Sequence, residues 1–198
     1  MDIDWHGHFS EGGRGLLTEE KLLERKEASR PYIELLQKHL KPGARILECG
    51  CGPARTAVVM SLAGFRVTAI DKDERMLQLA RKNAAFGKGM EFLKLDLFDI
   101  DSKFSEASFD CCTHQGVLEH FAEEEAKDAL RRQMKVAGTA IFTVPISGGE
   151  NVSETVHGSI FRNMWTGDYW INHILGEFDV TVISRYFPDF VKQLSRYY

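Results

Sequence analysis

Residues 46–54, ILECGCGPA, place a carboxylate, Glu48, ahead of two glycines, Gly50 and Gly52, that flank Cys51. A glycine lets a ligand approach the backbone with no Cβ in the way. A helix that opens after such a turn also presents unpaired N–H groups. Both features suit an anion, but an acid just before the turn repels one and attracts a cation. A dinucleotide-binding turn, G-x-G-x-x-G, needs its third glycine at position 55, where the chain has Arg55, and Pro53 removes a further N–H donor. The pattern therefore indicates a ligand with an ammonium or sulfonium group and no phosphate. S-adenosylmethionine carries both cations.

Other residues could do chemistry further along. VTAID ends in Asp71, LKLDLFD contains Asp96, and FDCCTHQGVLEHF carries His114, Gln115, Gly116, Glu119 and His120. A histidine titrates near neutral pH and can act as a general base, which makes His120 the first candidate; a surface histidine opening a helix is the structural alternative. Between His157 and His173 lie Phe161, Trp165, Tyr169 and Trp170, an aromatic set that could roof a planar or apolar small molecule or anchor a helix in the core. Cys49, Cys51, Cys111 and Cys112 form no CxxC pair and read as buried thiols, neither a zinc site nor a disulfide framework. Taken alone, Glu48 or Asp71 could equally cap a following turn.

These residues need elements to hold them. The chain alternates short apolar runs with helical periodicity. RILEC, FRVTAI, MEFLKL, FDCCTH and TAIFTVP read as strands, with helices over ARTAVVMSLAG, DERMLQLARKNAA and EEEAKDALRRQMKVAG. Before them, residues 1–17 read as an irregular arm. A helical pattern over 18–40 is expected to split at Pro31, with its second segment starting near Ser29. After them, ISGGENVSETVHGS reads as a polar loop and WTGDYWINHILG as a helix with Thr166 near its cap. FDVTVISRYF reads as a sixth strand, and PDFVKQLSRYY as a helix or a last short strand. Strands alternating with helices argue for a parallel sheet covered on both faces, with ligands beyond the carboxyl ends of the strands.

The chain has 198 residues, 43% hydrophobic and 27% charged, which suits one domain with a sizeable core. Twenty-five basic residues against 29 acidic ones give a net charge of -4, no electrostatic footprint for nucleic acid. RRQMK reads as the solvated face of a helix. The N-terminus lacks the pattern of a signal peptide and no apolar run is long enough for a membrane span, so a cytoplasmic protein is expected.

The motifs in order resemble those of the class I S-adenosylmethionine-dependent methyltransferases, most of all the small-molecule group that includes the quinone-biosynthesis enzymes. The resemblance covers residues 40–187 and implies an α/β, three-layer, doubly wound and mostly parallel sheet of the Rossmann-like kind. The reversed last strand is missing if the tail is a helix. The resemblance implies S-adenosylmethionine as cofactor and S-adenosylhomocysteine as product. It assigns the turn to Glu48, Gly50, Cys51 and Gly52, with Ala54 replacing the family's last glycine. It assigns the ribose hydroxyls to Asp71 with Lys72 beside it, and the adenine to Asp96, Leu97 and Met76. It places the methionine part near Gln115 and Gly116. One carboxylate can accept from both vicinal hydroxyls of a ribose. His157, Trp165, Tyr169 and His173 are the expected substrate side, with no metal.

Residues 1–40 are expected to form an arm and cap or lid, and 41–198 the cofactor-binding domain. The expected reaction is methyl transfer to an oxygen, nitrogen or carbon of a small-molecule acceptor. The alternatives are a non-catalytic cofactor-binding protein of the same fold, an RNA or protein methyltransferase, and a nucleotide-dependent oxidoreductase. Arg55 and Glu48 argue against the last. No NPPY-type tetrapeptide follows the fourth strand, where THQG stands.

Overall fold

The computed structural model describes residues 4–10, 13–156 and 160–180. Five strands make one fully parallel sheet in the order β3-β2-β1-β4-β5. They are β1 Arg45–Cys49, β2 Arg66–Asp71, β3 Glu91–Lys94, β4 Cys111–Gln115 and β5 Ala140–Thr143. Strand order reverses between β1 and β4, which pair directly through Ile46–Cys111, Leu47–Cys112 and Glu48–Thr113.

Alternation along each strand feeds two cores. Ile46, Val67 and Ala69 belong to one apolar cluster with Tyr32, Ile33, Leu36, Ala57 and Met60. Leu47, Cys49, Ile70 and Cys112 belong to the other, with Ala126, Ala129, Leu130 and Trp170. The first face is covered by α2 Glu19–His39, α3 Arg55–Leu62 and α4 Glu74–Asn83, and the second by α5 Ile100–Lys103 and α6 Glu123–Ala137. This is the three-layer, doubly wound α/β architecture expected from the sequence.

Four details differ from expectation. The arm contains a short helix, α1 Trp5–Ser10, where irregular chain was expected. The helix α2 runs unbroken through Pro31. A proline deletes one backbone bond, at a cost of about 3 kcal/mol. Ser29, Tyr32, Ile33 and Leu36 are buried on one face of α2, and that burial outweighs the lost bond. Tyr32 adds an anchor, its hydroxyl donating to the Ile141 carbonyl at 2.8 Å and pairing with the Thr113 hydroxyl.

The third difference lies in the segment read as a polar loop. Its second half is a strand, β6 Val152–Val156, paired antiparallel with β7 Ile160–Met164. Cross-strand pairs hold this hairpin: Arg162 to Glu154 at 2.5 Å and Ser153 to Asn163 at 2.7 Å. Fourth, the helix expected over WTGDYWINHILG narrows to α7 Gly167–Tyr169, followed by a wider turn over Trp170–Ile174. Thr166 caps it as expected, its Oγ1 accepting from the Tyr169 N–H. The expected sixth strand beyond residue 180 and the tail lie outside the described residues.

Candidate functional site

A continuous cleft of about 1690 Å³ runs along the carboxyl ends of the strands, bordered by the turns after β1, β2, β3 and β4. This exceeds the ~300–1000 Å³ of a single small-ligand pocket. The cleft extends from the glycine turn to the open edge of β5. The residues expected to hold the cofactor all line it: Glu48, Gly50, Cys51, Gly52, Asp71, Lys72, Met76, Asp96, Leu97, Gln115 and Gly116. His120 lines it as well.

The turn after β1 is built by backbone geometry. Gly50 and Gly52 have φ of 63° and 54°, the left-handed region that glycine enters without penalty. Ala54 follows in the same region at φ 55°, so the position where the family has a glycine still demands a glycine's conformation here. A Cβ on Gly50 would stand 3.0 Å from Val117 Cγ2. The Cys51 N–H donates to the Ile70 carbonyl at 2.9 Å and fastens the turn to β2.

Asp71 fastens it a second time. Its Oδ2 accepts from the Gly52 N–H and its Oδ1 from the Asp73 N–H, each at 2.9 Å. Burial raises its pKa, and these two N–H bonds oppose the rise. Helix capping falls to Asp73, whose carboxylate accepts from the Arg75 N–H at 2.8 Å. Each Asp71 oxygen keeps a lone pair for a ligand hydroxyl. Asp96 caps the short turn over Leu97–Asp99 through the Phe98 N–H at 3.0 Å, and it also faces the cleft.

Glu48 is 4% exposed and its Oε2 has no hydrogen-bond partner among the described residues. Burial pushes its carboxyl up to about 8, opposed by the Arg25 charge and the Ala57 N–H, and assisted by the Asp71 charge. A buried acceptor left unpaired costs about 1–3 kcal/mol. Such an atom facing a cleft is a place where a ligand donor lowers the free energy.

Sequence reasoning did not reach several neighbours. Arg25 on α2 donates to the side-chain amide oxygen of Gln115, Oε1, at 3.0 Å, and the Thr56 hydroxyl donates to the same atom at 3.0 Å, fixing that side chain at the end of β4. Arg25 sits in a plain charged helix pattern that carries no sign of this role. Glu119, named from the sequence only as one polar residue of its segment, is 5% exposed with its Oε2 unpartnered among the described residues. Burial pushes its carboxyl up to about 7.

His120 is not a surface histidine. Its side chain is 12% exposed, its Nδ1 lies 2.5 Å from the Phe161 carbonyl, and Trp5 of α1 meets its ring edge-on at 4.8 Å. Burial lowers its pKa, with the Phe161 carbonyl opposing and the Arg162 charge assisting.

The aromatic candidates divide. Trp165, Tyr169 and His173 do not line the cleft. Trp165 packs against Tyr169 and Trp170, His173 stacks on Tyr169 at 4.3 Å, and the Tyr169 hydroxyl donates to Glu123. Trp170 is 3% exposed and borders the cleft. His157 lies outside the described residues. His114 does not line the cleft and stacks on Phe142 at 4.7 Å. The four cysteines are buried and free. Among the described residues, no helix is long and apolar enough to cross a membrane.

Comparison with known proteins agrees with this geometry. Residues 46–138 match the family model described as "Methyltransferase domain". The chain is 33% identical over 125 residues to the malonyl-[acyl-carrier protein] O-methyltransferase of Erwinia pyrifoliae, covering 62% of this chain and 46% of that protein. It is 31% identical over 129 residues to the protein-L-isoaspartate O-methyltransferase of Methylorubrum populi, covering 63% and 57%. The chain thus spans about half the length of these curated relatives. Among solved structures it is similar to the Burkholderia thailandensis 1,6-didemethyltoxoflavin-N1-methyltransferase with bound 1,6-didemethyltoxoflavin and S-adenosylhomocysteine. That similarity has a TM-score of 0.64 at 22% identity, over 87% of this chain and 74% of that one, and is a likeness of fold.

Proposed function

We propose, from the premise that this chain belongs to the class I S-adenosylmethionine-dependent methyltransferases, that it transfers a methyl group to a small-molecule acceptor. The observation that carries the reading is Glu48. A buried carboxylate oxygen without a partner, beside a glycine turn and facing the cleft, fits a ligand ammonium and does not fit pyrophosphate. The residues present fit the cofactor: Glu48 for its amine, Asp71 for the ribose hydroxyls, and Asp96, Leu97 and Met76 around the adenine. Gln115 and Gly116 would border its methionine end. When bound, S-adenosylmethionine supplies an electrophilic methyl on a sulfonium and leaves as the neutral thioether, the electron pair of the broken bond staying on sulfur.

The protein's own part is to bind, orient and exclude water. The short helix α1, Trp5–Ser10, acts as the cap. Trp5 and Phe9 of α1 border the cleft, the Arg55 guanidinium lies 5.5 Å from the Phe9 ring centre, and Asp4 pairs with Arg75 at 3.2 Å. The β6–β7 hairpin closes the opposite side. Its Asn163 donates to the Phe121 carbonyl at 2.8 Å, just past His120. A cleft covered from both sides supports a small acceptor over a macromolecular surface. His120, held neutral by burial, is the base for an acceptor that must lose a proton.

The test is calorimetric titration with S-adenosylmethionine, S-adenosylhomocysteine and NADH. Binding of the first two with NADH silent is expected. No binding of the first two sinks the reading. Binding of both with no turnover across a broad acceptor panel would instead favour a non-catalytic binding protein.

A further inference from the structure

Two neighbouring side chains that line the cleft, Glu119 and His120, each present an acceptor. The first is Glu119 Oε2, buried and unpartnered among the described residues. The second is His120 Nε2. A carbonyl oxygen only accepts, so the Nδ1 that faces the Phe161 carbonyl carries the ring proton, and a neutral ring then leaves Nε2 as a bare acceptor. His120 Nε2 lies 3.9 Å from Glu119 Oε1, and that same oxygen stands 3.3 Å from where a Cβ on Gly116 would be. The charged and titratable neighbours of the pair are few. Arg162 reaches both electrostatically but is paired with Glu154. Trp5 offers only its ring to His120. Among the described residues no group of three or more metal-ligating side chains forms, so the pair is not part of a ready-made metal site.

A pair of adjacent acceptors calls for a ligand with at least two donor hydrogens on one atom. A hydroxyl has one. A tertiary ammonium has one. A primary amine has two when neutral and three when protonated. We propose that Glu119 and His120 together receive a primary amino group, so that the methyl acceptor is a primary amine. This rests on the methyltransferase reading of the same cleft. Glu119 then sets specificity, and His120 takes the proton. For a protonated amine, one proton passes to His120 first. The nitrogen lone pair then forms the new N–C bond as the methyl–sulfur bond breaks with its electron pair on sulfur, and a second proton leaves to solvent as the product neutralises.

The experiment separates this from the reading it rests on. Protein saturated with S-adenosylhomocysteine is titrated calorimetrically, in buffer with EDTA, with matched trios: benzylamine, benzyl alcohol and N,N-dimethylbenzylamine, and the butyl equivalents. The primary amine should bind at least about tenfold more tightly than its two partners in at least one trio. Glu119→Gln places an N–H₂ donor among the ligand's donors and should remove that preference while S-adenosylhomocysteine affinity is unchanged. His120→Asn is the second variant, with circular dichroism confirming the fold of each. Equal affinity across the trios, no amine binding, or binding only when EDTA is omitted would overturn the proposal. Failure of S-adenosylhomocysteine to bind would overturn the methyltransferase reading first.

Discussion

Glu48→Gln keeps the side chain's shape and removes its charge, and the structure gives the two consequences opposite signs. Burial pushes the folded-state carboxyl from its ordinary 4.5 up to about 8. Below pH 4.5 the group is protonated in the folded and unfolded chains alike, so burial costs nothing through ionisation. Between 4.5 and 8 the unfolded chain releases the proton and the folded chain keeps it, so stability falls as pH rises, reaching its floor above about 8. At ~1.36 kcal/mol per pH unit the full span is worth about 3–5 kcal/mol. The variant removes that loss. Urea unfolding followed by circular dichroism should show wild type and variant nearly equal at pH 4.5. By pH 8.5 the variant should be the more stable by about 3–5 kcal/mol. The same change deletes the acceptor proposed for the ligand's ammonium, so affinity for S-adenosylhomocysteine should fall about 10–100-fold, the range for a lost hydrogen bond to a charged group. A variant no more stable at pH 8.5 refutes the burial argument. A more stable variant with undiminished affinity refutes the ligand assignment and leaves Glu48 a structural acid.

Three further substitutions test other parts of the site and core. Asp71→Asn turns an N–H₂ toward one of the two backbone N–H donors that Asp71 now receives. It should cost about 1–3 kcal/mol of stability and weaken cofactor binding, read by melting and calorimetry; an unchanged melting temperature rules the tie out. Gly50→Ala introduces a Cβ 3.0 Å from Val117 at φ +63°, and should destabilise by about 1–2 kcal/mol from the left-handed backbone alone. A melting temperature within error of wild type contradicts that geometry. His114 is fully buried with neither ring nitrogen partnered among the described residues, and burial pushes its pKa down to about 3. Its contribution is present above its ordinary 6.5 and is lost as pH falls from 6.5 toward 3. His114→Phe should therefore flatten the acid limb of the stability curve, and parallel acid limbs would disprove the assignment.

The parallel sheet and the glycine turn were legible because each rests on local pattern. Strands β1 to β5 are short apolar runs, and helix–strand alternation permits few sheets. The acids Glu48, Asp71 and Asp96 stand where strands or the turns after them end. What local pattern hides is burial decided by distant packing. Pro31 reads as a break because its cost is local, while the face it accompanies, Tyr32 to Leu36, is secured by contacts with β4 and β5. The β6–β7 hairpin was half missed because VSETV is polar and its partner is what makes it a strand. For His120 a surface reading stood beside the general-base reading because LEH opens a charged helix. The hairpin carrying Phe161 and the arm carrying Trp5 cover His120. Trp165 and Tyr169 do not line the cleft, and aromatic content alone does not distinguish a roof from a core anchor.

The two orphaned carboxylates at the cleft, Glu48 and Glu119, have a common origin in the topology. Parallel strands linked by covering helices all end on one edge, so the turns after β1 and β4, neighbours at the point of reversal, must converge. Helices on both faces then exclude water from that edge. An acid placed there is desolvated by the fold itself, before any ligand arrives. Glu48 is approached by Arg25 of α2 and Ala57 of α3, and Glu119, 5% exposed, by Arg162 of the hairpin. Each keeps one carboxylate oxygen, Oε2, without a partner among the described residues, and that oxygen remains an unmet acceptor. Replacing either with an uncharged side chain should make the folded chain more stable at neutral to alkaline pH. A fold that keeps both is less stable than it could be at the same edge where its ligands enter, and the free energy of binding restores the difference.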